Sequence, residues 1–410
     1  MRVTPLAVLP ALLGAAFAQT GLPAPTGRFA VGRQAFWWSD PARLEDAGPT
    51  AGKPREVAAI VYYPAVAKGH RVAYYPGLAG LENAPETRSL RLQFGGAWNA
   101  VISGAIRTNA YDAPPMPPGR ARFPVLLFSP GGQAPALAYQ LQLEELASHG
   151  YVIFALEHGA DSALIIRPDR TLLPYALRRP PDPLPTVAYL EAVRDETIRR
   201  AADMVFALNQ ISLVAKRPGS ALRNRLDLSR IGVFGHSAGG QGAVRACQTD
   251  ARLRACLNQD GEMFGIPAGG SGPVPALIAG KPTLAPVAVI HVAEPGATDA
   301  QLSAIHATRK QYDDWRDART GALRAYLQGN SRESELITIA APGFVHATFM
   351  DVRLLAGSPN PEAARNHRTG TEITRAFFDA HLRWGDPEAW SRFAADPGAG
   401  IAVEKLGLSR

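Results

Sequence analysis

The sequence predicts an α/β fold with a mostly parallel central sheet and helices on both faces, and two observations predict it. Apolar runs of strand length alternate with segments of helical periodicity along most of the chain. The 39 Gly and 35 Pro among 410 residues also indicate many turns and insertions between short elements. Since α/β folds often fill this length as one unit, we expect residues 19–410 to form a single domain.

The composition excludes several classes of protein. With 46% apolar, 8% aromatic and 19% charged residues, the chain is globular and not disordered, collagenous or coiled-coil. Its 43 Lys and Arg exceed its 36 Asp and Glu, which gives a net charge of +7. These basic residues form no run longer than two and have no interleaved aromatic platform, so we expect no nucleic-acid partner.

The N-terminus has the pattern of a secretory signal peptide. Arg2 precedes an apolar stretch over 6–17, and the small residues Ala16 and Ala18 predict cleavage after Ala18. We therefore expect residues 1–18 to be removed and the mature protein to be secreted or periplasmic. The alternative is an uncleaved amphipathic or buried segment, because the stretch is shorter than the roughly 20 residues that span a bilayer.

The first part of the chain alternates predicted strands with a predicted helix. Apolar runs of strand length and a segment compatible with a helix predict, in order, a strand at Ala58–Tyr63, a strand at Val125–Phe128, a helix at Ala136–Ser148 and a strand at Tyr151–Leu156.

A long crossover helix and the second half of the sheet follow. Apolar residues recur near a 3.6 period over Val187–Ile211, which predicts a helix that crosses back over the sheet. Beyond it, the pattern predicts a strand at Ile231–Phe234, a helix at Gly239–Cys247, strands at Ala255–Asn258, Val287–Val292 and Glu335–Ala340, and a closing helix at Glu372–Leu382. Four segments do not fit the alternation, and we expect edge strands, insertions or a lid at 20–57, 70–120, 160–185 and 262–285.

The exit from the strand Ile231–Phe234 carries the motif G-x-S-x-G. It reads Gly235-His236-Ser237-Ala238-Gly239 and occurs once in the chain. A strand that turns abruptly into a helix holds a serine in a strained conformation with its hydroxyl exposed, and glycines let the backbones approach closely. The strand before and the helix after therefore predict the nucleophile elbow of an α/β-hydrolase fold, with Ser237 as the nucleophile. The alternative is a glycine turn without catalysis.

A serine hydroxyl needs a base, and His346 is the candidate. It follows the predicted strand Glu335–Ala340 in a glycine-containing loop, where α/β-hydrolases supply their base. His236 lies inside the elbow and should point away from the Ser237 hydroxyl. We expect other histidines to be structural or to lie at the surface, namely His149, His291, His367 and His381.

The acid that orients the base has two candidates. Asp260 follows the predicted strand Ala255–Asn258, and Glu294 follows the next strand, which is the commoner position in the fold. Either residue fits the chain order Ser, acid, His. The pattern of residues alone leaves both open.

Six motifs occur together between residues 128 and 351. They are Phe128-Ser129-Pro130-Gly131-Gly132, Leu146-Ala147-Ser148-His149-Gly150-Tyr151-Val152, Glu157-His158, the elbow, Asp260-Gly261-Glu262-Met263-Phe264 and His346-Ala347-Thr348-Phe349-Met350-Asp351. Together they resemble the plasma-type platelet-activating factor acetylhydrolases and their bacterial relatives, over most of residues 55–385. That family consists of α/β-hydrolases acting on esters with short or oxidised acyl groups.

The resemblance implies roles for particular residues. That family takes its acid from the Asp-Gly-x-Met-Phe segment, which favours Asp260. It also implies that the backbone N–H groups of Gly132 and Ala238 form the oxyanion hole. Two departures affect the pocket rim, because the family usually has His in place of Pro130 and Arg-Asp after the residue that matches His158.

The expected function is a serine esterase that hydrolyses small-molecule or lipid esters with short acyl groups through an acyl-enzyme. An alternative is a general carboxylesterase, polyester hydrolase or dienelactone-type hydrolase, and one from another class is a catalytically silent binding module. We expect no cofactor and no metal, since no nucleotide-binding or zinc motif is present.

Two further features carry expectations. Cys247 and Cys256 are the two cysteines of the chain, and export predicts a disulfide between them, with reduced buried thiols as the alternative. The Trp37-Trp38 pair predicts edge packing near a first strand, and at most peripheral contact with a membrane.

Overall fold

The computed structural model describes residues 22–176, 187–263, 281–293, 296–304, 307–355 and 360–407. Several sequence predictions therefore lie outside the described residues, namely the signal peptide at 1–18, the alternative acid Glu294, the end of the insertion expected at 160–185 and most of the one expected at 262–285.

The described residues form thirteen strands and ten α-helices. The strands are β1 (Ala30–Leu44), β2 (Pro54–Ala65), β3 (Arg71–Ala73), β4 (Arg107–Asp112), β5 (Phe123–Ser129), β6 (Val152–Glu157), β7 (Leu164–Ile166), β8 (Leu172–Pro174), β9 (Leu226–His236), β10 (Leu253–Gln259), β11 (Val287–Val292), β12 (Ser334–Ile339) and β13 (Ile401–Lys405). The helices are α1 (Arg88–Phe94), α2 (Trp98–Ile102), α3 (Gln140–Ser148), α4 (Val187–Val214), α5 (Ala238–Cys247), α6 (Asp299–Ala304), α7 (Arg309–Gln328), α8 (Val352–Leu355), α9 (Pro361–His381) and α10 (Ala389–Ala395).

Eleven strands form one sheet in the order β13-β12-β11-β10-β9-β5-β6-β2-β1-β4-β3, and β7 pairs with β8 in a separate hairpin. The central strands from β6 to β12 pair in parallel, whereas β2 joins β6 and β13 joins β12 in antiparallel orientation. Since the carboxyl ends of parallel strands meet at one edge of the sheet, the loops after β5, β9, β10 and β12 lie together.

Alternation along β5 shows how the sheet is covered on both faces. Val125 and Leu127 point into a core that includes apolar residues of α4, α5 and α7. Leu126 and Phe128 point into a second core that includes residues of α3 and α9. Every residue of β5 is buried, as expected for a central strand with helices on both faces. The predicted α/β architecture is confirmed.

Two predicted helices have different limits in the structure. The helix expected from Ala136 begins as a 3-10 turn over Ala136–Tyr139, and the α-helix starts at Gln140. The closing helix expected from Glu372 begins eleven residues earlier, at Pro361. There Asn360 caps the helix by accepting from the Ala363 N–H, and proline suits the first helical position. The early turns carry few apolar residues, so periodicity did not reveal them.

The insertion expected at 70–120 has its own small core. It contains β3, β4, α1 and α2, and its buried residues pack with Leu137 and Leu164. The Trp37 and Trp38 pair lies in β1, towards one end of the sheet, and both side chains are half-buried. The hairpin β7–β8 forms the described part of the insertion at 160–185.

Cys247 at the end of α5 is bonded to Cys256 in β10, and their Cα atoms are 6.5 Å apart. The predicted disulfide is therefore present in the structure. It joins the helix that follows the elbow to the strand beside β9. Among the described residues, no helix combines the length and apolar character needed to cross a membrane.

Candidate active site

Ser237 lies at the turn between β9 and α5, in a strained backbone conformation. Its φ is 54° and its ψ is −124°, a region that residues with a Cβ rarely adopt and that costs on the order of 1–3 kcal/mol. The flanking glycines explain how the turn is accommodated. A Cβ on Gly239 would overlap the backbone of Ser129 and Pro130, and a Cβ on Gly235 would overlap Gly239. The G-x-S-x-G spacing thus follows from close backbone packing.

His346 begins a 3-10 turn after β12, and its Nδ1 lies 2.6 Å from Oδ2 of Asp260. Asp260 follows β10 with a φ of 55°, and its own N–H donates to the carbonyl of Ile290 at 2.8 Å. Its second carboxylate oxygen accepts from the Val292 N–H at 2.9 Å. Two backbone groups of β11 therefore hold Asp260, one at its N–H and one at the carboxylate that faces His346.

The electrostatics of the site favour an ionised Asp260. Burial opposes ionisation, but the neighbouring His291 and His346 imidazoles and the Val292 N–H lower its pKa to about 2. A carboxylate beside Nδ1 holds the proton of a neutral imidazole on that nitrogen. This leaves Nε2 of His346 as the nitrogen that can accept a proton.

A cavity of about 490 Å³ has Ser237, Asp260 and His346 among its lining residues. The structure thus brings the three residues predicted from sequence to one site. Apolar side chains of α4 and α7 form part of the wall, among them Leu190, Val193 and Leu323, and polar residues of α7 contribute as well, among them Tyr312, Arg316, Arg319 and Thr320.

The two residues predicted for the oxyanion hole lie in the elbow and in the loop after β5. Ala238 begins α5 and lines the cavity. Gly132 is half-buried in the loop after β5, and among the described residues it is not part of the cavity wall. The adjacent Gly131 is close to the serine, since a Cβ built on it would lie 3.4 Å from Cβ of Ser237. The loop of Gly132 is therefore beside the elbow.

Some histidines differ from their expected roles. His291, expected to be structural, lines the cavity, and its Nδ1 lies 3.7 Å from Oδ1 of Asp260. His367, expected at the surface, is buried, with Nε2 3.4 Å from Oδ1 of Asp351. His381, also expected at the surface, is mostly covered and lies against the Phe377 ring. The sequence around these three histidines is mostly apolar or helical, so it did not predict the residues that they contact.

An ion pair that sequence reasoning missed lies beside the cavity. Arg319 Nε on α7 lies 2.8 Å from a carboxylate oxygen of Glu262, and the backbone carbonyl of Glu262 accepts from the Gln241 side chain. Burial raises the pKa of Glu262, although Arg319 opposes this shift. Glu262 belongs to the Asp-Gly-x-Met-Phe motif that begins at Asp260, but Arg319 lies on a polar helix with no motif around it.

A second Ser-His-Asp arrangement lies buried below the loop of Gly132. Ser129 Oγ lies 2.8 Å from Nε2 of His158, and Nδ1 of His158 lies 2.9 Å from Oδ2 of Asp203. All three residues are 0% exposed, so substrate cannot reach this serine. Arg55 and Arg200 complete the network, because Arg55 pairs with Asp203 at 2.7 Å and Arg200 donates to the Pro130 carbonyl at 3.0 Å. The arrangement holds the start of the loop.

Two family models match separate parts of the chain. The model of platelet-activating factor acetylhydrolase, isoform II, matches residues 14–169, and a model described as PET hydrolase-like matches residues 184–262. The first match includes the loop of Gly132, and the second includes Ser237 and Asp260. The resemblance inferred from the sequence motifs is confirmed.

Curated relatives carry related names. A protein of Arthroderma benhamiae named probable 1-alkyl-2-acetylglycerophosphocholine esterase is 27% identical over 259 residues, which is 60% of this chain and 59% of that protein. The platelet-activating factor acetylhydrolase of Canis lupus familiaris is 26% identical over 236 residues, 50% of this chain and 49% of that protein. The chain thus spans between about half and three fifths of the length of these relatives.

A solved structure covers the whole fold. The ferulic acid esterase from Streptomyces cinnamoneus aligns with 95% of this chain and 100% of its own, with a TM-score of 0.63 and 23% sequence identity. This likeness supports the fold, an α/β-hydrolase.

Proposed function

We propose that this chain, a relative of the platelet-activating factor acetylhydrolases in the α/β-hydrolase superfamily, is a serine esterase that hydrolyses carboxylic esters with short acyl groups. One observation carries the proposal. The Asp260 carboxylate is bonded to His346 Nδ1 at 2.6 Å, and both residues line one cavity with the strained Ser237. Names of the relatives, an esterase and acetylhydrolases, support the same class of reaction.

In the first half of the reaction, His346 Nε2 takes the proton of Ser237 as its hydroxyl oxygen attacks the ester carbonyl. Asp260 stabilises the imidazolium that forms. The carbonyl oxygen becomes an oxyanion, to which the N–H groups of Gly132 and Ala238 donate. His346 then gives its proton to the leaving alcohol, and the acyl group remains on Ser237. Removing one oxyanion donor typically lowers the rate on the order of 10²- to 10³-fold.

In the second half, a water molecule enters beside the acyl-enzyme. His346 takes a proton from this water, whose oxygen attacks the acyl carbonyl, and a second oxyanion forms in the same place. When the Ser237 oxygen leaves, it regains its proton from His346 and the carboxylic acid is released. The cycle therefore returns each residue to its starting protonation state.

The short acyl group of the proposal comes from the names of the curated relatives, which specify an acetyl group. The cavity of about 490 Å³ between α4 and α7 has the size of a site for a small-molecule ester. The second candidate is a hydrolase of polyesters or aromatic esters, favoured by the PET hydrolase-like match over 184–262, which includes the elbow. A series of nitrophenyl esters of increasing acyl length, a phospholipid with a short sn-2 acyl group and a soluble polyester fragment separate the two candidates.

Export to an oxidising compartment is part of the proposal. The disulfide between Cys247 and Cys256 supports it, because disulfides persist outside the cytosol. N-terminal sequencing of the protein recovered from the periplasm or medium tests it, and we expect Gln19 as the first residue.

A fluorophosphonate probe tests the esterase reading against that of a binding module. We expect covalent labelling of Ser237 in the folded wild-type chain and none in Ser237→Ala. Since Ser129 is fully buried, Ser129→Ala should label like the wild type if it folds. Absence of label from folded wild-type protein would remove the esterase proposal.

A further inference from the structure

We infer that His236 and Tyr139 are positioning residues that hold the loop of His346 and the loop of Gly132 in register with Ser237. The inference rests on the proposed function for its catalytic consequence. Its structural basis is one chain of hydrogen bonds that connects the three loops.

The chain of hydrogen bonds passes through the side chain that precedes the serine. His236 Nε2 lies 2.9 Å from the backbone carbonyl oxygen of His346, and His236 Nδ1 lies 2.8 Å from the Tyr139 hydroxyl. The same hydroxyl lies 3.0 Å from the backbone N–H of Gly131, the residue before Gly132. Each of the three loops therefore contributes one group.

Both ends of this chain fix the direction of its protons. The Gly131 N–H can only donate, so the Tyr139 oxygen accepts from it and its own proton points to His236 Nδ1. At the other end the His346 carbonyl can only accept, so Nε2 of His236 carries a proton. The arrangement thus requires the neutral Nε2–H tautomer of His236, and every donor in it has an acceptor.

Burial keeps His236 in that neutral form. The residue is 2% exposed, and its ring centroid lies 4.4 Å from that of His346. Burial and the nearby His346 lower the pKa of His236 to about 3. A protonated His236 would turn Nδ1 into a donor, so the Tyr139 O–H would lose its acceptor. Near neutral pH, the connection between the loops is therefore uncharged and intact.

Other contacts anchor the segment after His346 independently. The Asp351 carboxylate accepts from the Tyr74 hydroxyl at 2.8 Å and from the Leu141 N–H, and Gln142 donates to the Phe349 carbonyl at 3.2 Å. Loss of the His236 contact should therefore leave this segment folded. Its effect should be a small displacement of His346, and misplacement by about 1 Å can lower a rate on the order of 10²-fold.

The first test compares two tyrosine variants. Tyr139→Phe deletes the hydroxyl that bonds with Gly131 and His236. Tyr151→Phe is the matched control, because it deletes a buried hydroxyl bonded to Asp379 at 2.7 Å, in the same core but away from the three loops. We expect kcat on nitrophenyl acetate to fall roughly 10- to 100-fold in Tyr139→Phe, with KM within about twofold, and Tyr151→Phe to keep the wild-type kcat. An equal kcat in both variants would overturn the inference.

The second test replaces His236 itself. His236→Phe removes both bonds, whereas His236→Gln retains an N–H that can donate to the His346 carbonyl. We expect His236→Gln to recover part of the kcat lost in His236→Phe at matched thermal stability. If both variants lose the same activity, the hydrogen bond to His346 has no positioning role.

A third measurement does not depend on esterase activity. NMR of ¹⁵N-histidine protein should give His236 as the neutral Nε2–H tautomer from about pH 5 to 8. The proton between His346 and Asp260 should shift in Tyr139→Phe but not in Tyr151→Phe. An Nδ1–H tautomer, or an unshifted proton, would overturn the inference even if the enzyme is active. Correct NMR signatures in a chain without esterase activity would instead contradict the proposed function alone.

Discussion

Asp260 Oδ2 lies 2.6 Å from His346 Nδ1, although the residues are 86 positions apart and follow strands that are not neighbours. β11 lies between β10 and β12, and Asp260 is bonded to the end of β11 by donating to the Ile290 carbonyl and accepting from the Val292 N–H. Asp260 has a left-handed backbone conformation at this position. The proposed catalytic residues act through this contact, so replacing any of them has an expected effect on turnover.

Replacing the proposed nucleophile or base should abolish nearly all turnover. We expect Ser237→Ala and His346→Ala each to lower kcat by roughly 10⁴-fold or more, because neither residue can act without the other. The double variant should be little slower than either single one. Steady-state kinetics on a nitrophenyl ester, with circular dichroism to check folding, measures this. Losses that multiply in the double variant would contradict a shared step.

The acid is tested by two isosteric substitutions. Asp260→Asn removes the charge that orients His346, and we expect kcat to fall roughly 10³- to 10⁴-fold. Glu294→Gln is the paired control, since the sequence pattern left Glu294 as the alternative acid, and it should stay close to wild type. The opposite ranking would assign the acid to the position after β11.

The buried network below the loop of Gly132 should be important for stability. Asp203 accepts from both Arg55 and His158, and although burial opposes its ionisation, Arg55 keeps its pKa well below the usual value. We expect Asp203→Asn to lower the free energy of unfolding by about 3–5 kcal/mol, because Arg55 then loses a buried counter-charge. Urea unfolding measures the loss. Asp195→Asn on the same helix is the control, since Asp195 is exposed, and a similar loss there would contradict the explanation.

The strands of the central sheet and the elbow were predictable from sequence because both leave local patterns. Continuous apolar runs mark β5, β6, β11 and the Ile231–Phe234 part of β9, where the sheet is buried on both faces. The glycines of the elbow are required by backbone contacts. His346 was predictable for a similar reason, since it follows the last parallel strand.

The partners of these residues were not predictable, because tertiary packing brings them together. Tyr139 and His236 are 97 positions apart, and Arg319 lies on a helix whose polar surface resembles any solvated face. Asp260 and Glu294 follow consecutive parallel strands in equivalent ways, so residue pattern alone could not rank them. The ranking needed the family motif.

The buried Glu157 should make stability depend on pH. Its carboxylate accepts from the Ala136 N–H at 2.7 Å, and burial raises its pKa from 4.5 to about 7, against opposing hydrogen bonds. Between these values the unfolded chain releases its proton while the folded chain retains it, so stability falls as pH rises. Glu157→Gln keeps the acceptor oxygen but does not titrate, so its stability should lack this pH dependence. We expect the free energy of unfolding of Glu157→Gln, relative to that of the wild type, to increase by about 3 kcal/mol between pH 4.5 and 7.

Urea unfolding of both proteins at several pH values between 4 and 8 measures this difference. Exposed Glu191→Gln serves as the control and should follow the wild type throughout. Parallel curves for wild type and Glu157→Gln would mean that Glu157 is ionised in the folded state.

The disulfide between Cys247 and Cys256 should stabilise the chain beside the elbow. Closing a loop between residues nine positions apart contributes about 2–3 kcal/mol in the chain-entropy model. We expect Cys247→Ala/Cys256→Ala to lower the free energy of unfolding by about 2–3 kcal/mol, measured by urea unfolding, and to keep kcat, because neither sulfur lines the cavity. Both cysteines are 0% exposed, so alanine also leaves a small cavity. Urea unfolding of the wild type with its disulfide reduced separates the loss of the disulfide from the effect of the cavity.

Intact mass of the wild type under denaturing, non-reducing conditions tests the bond itself, and it should show the loss of two daltons that reduction restores. Two thiols that alkylate without prior reduction would contradict the bond.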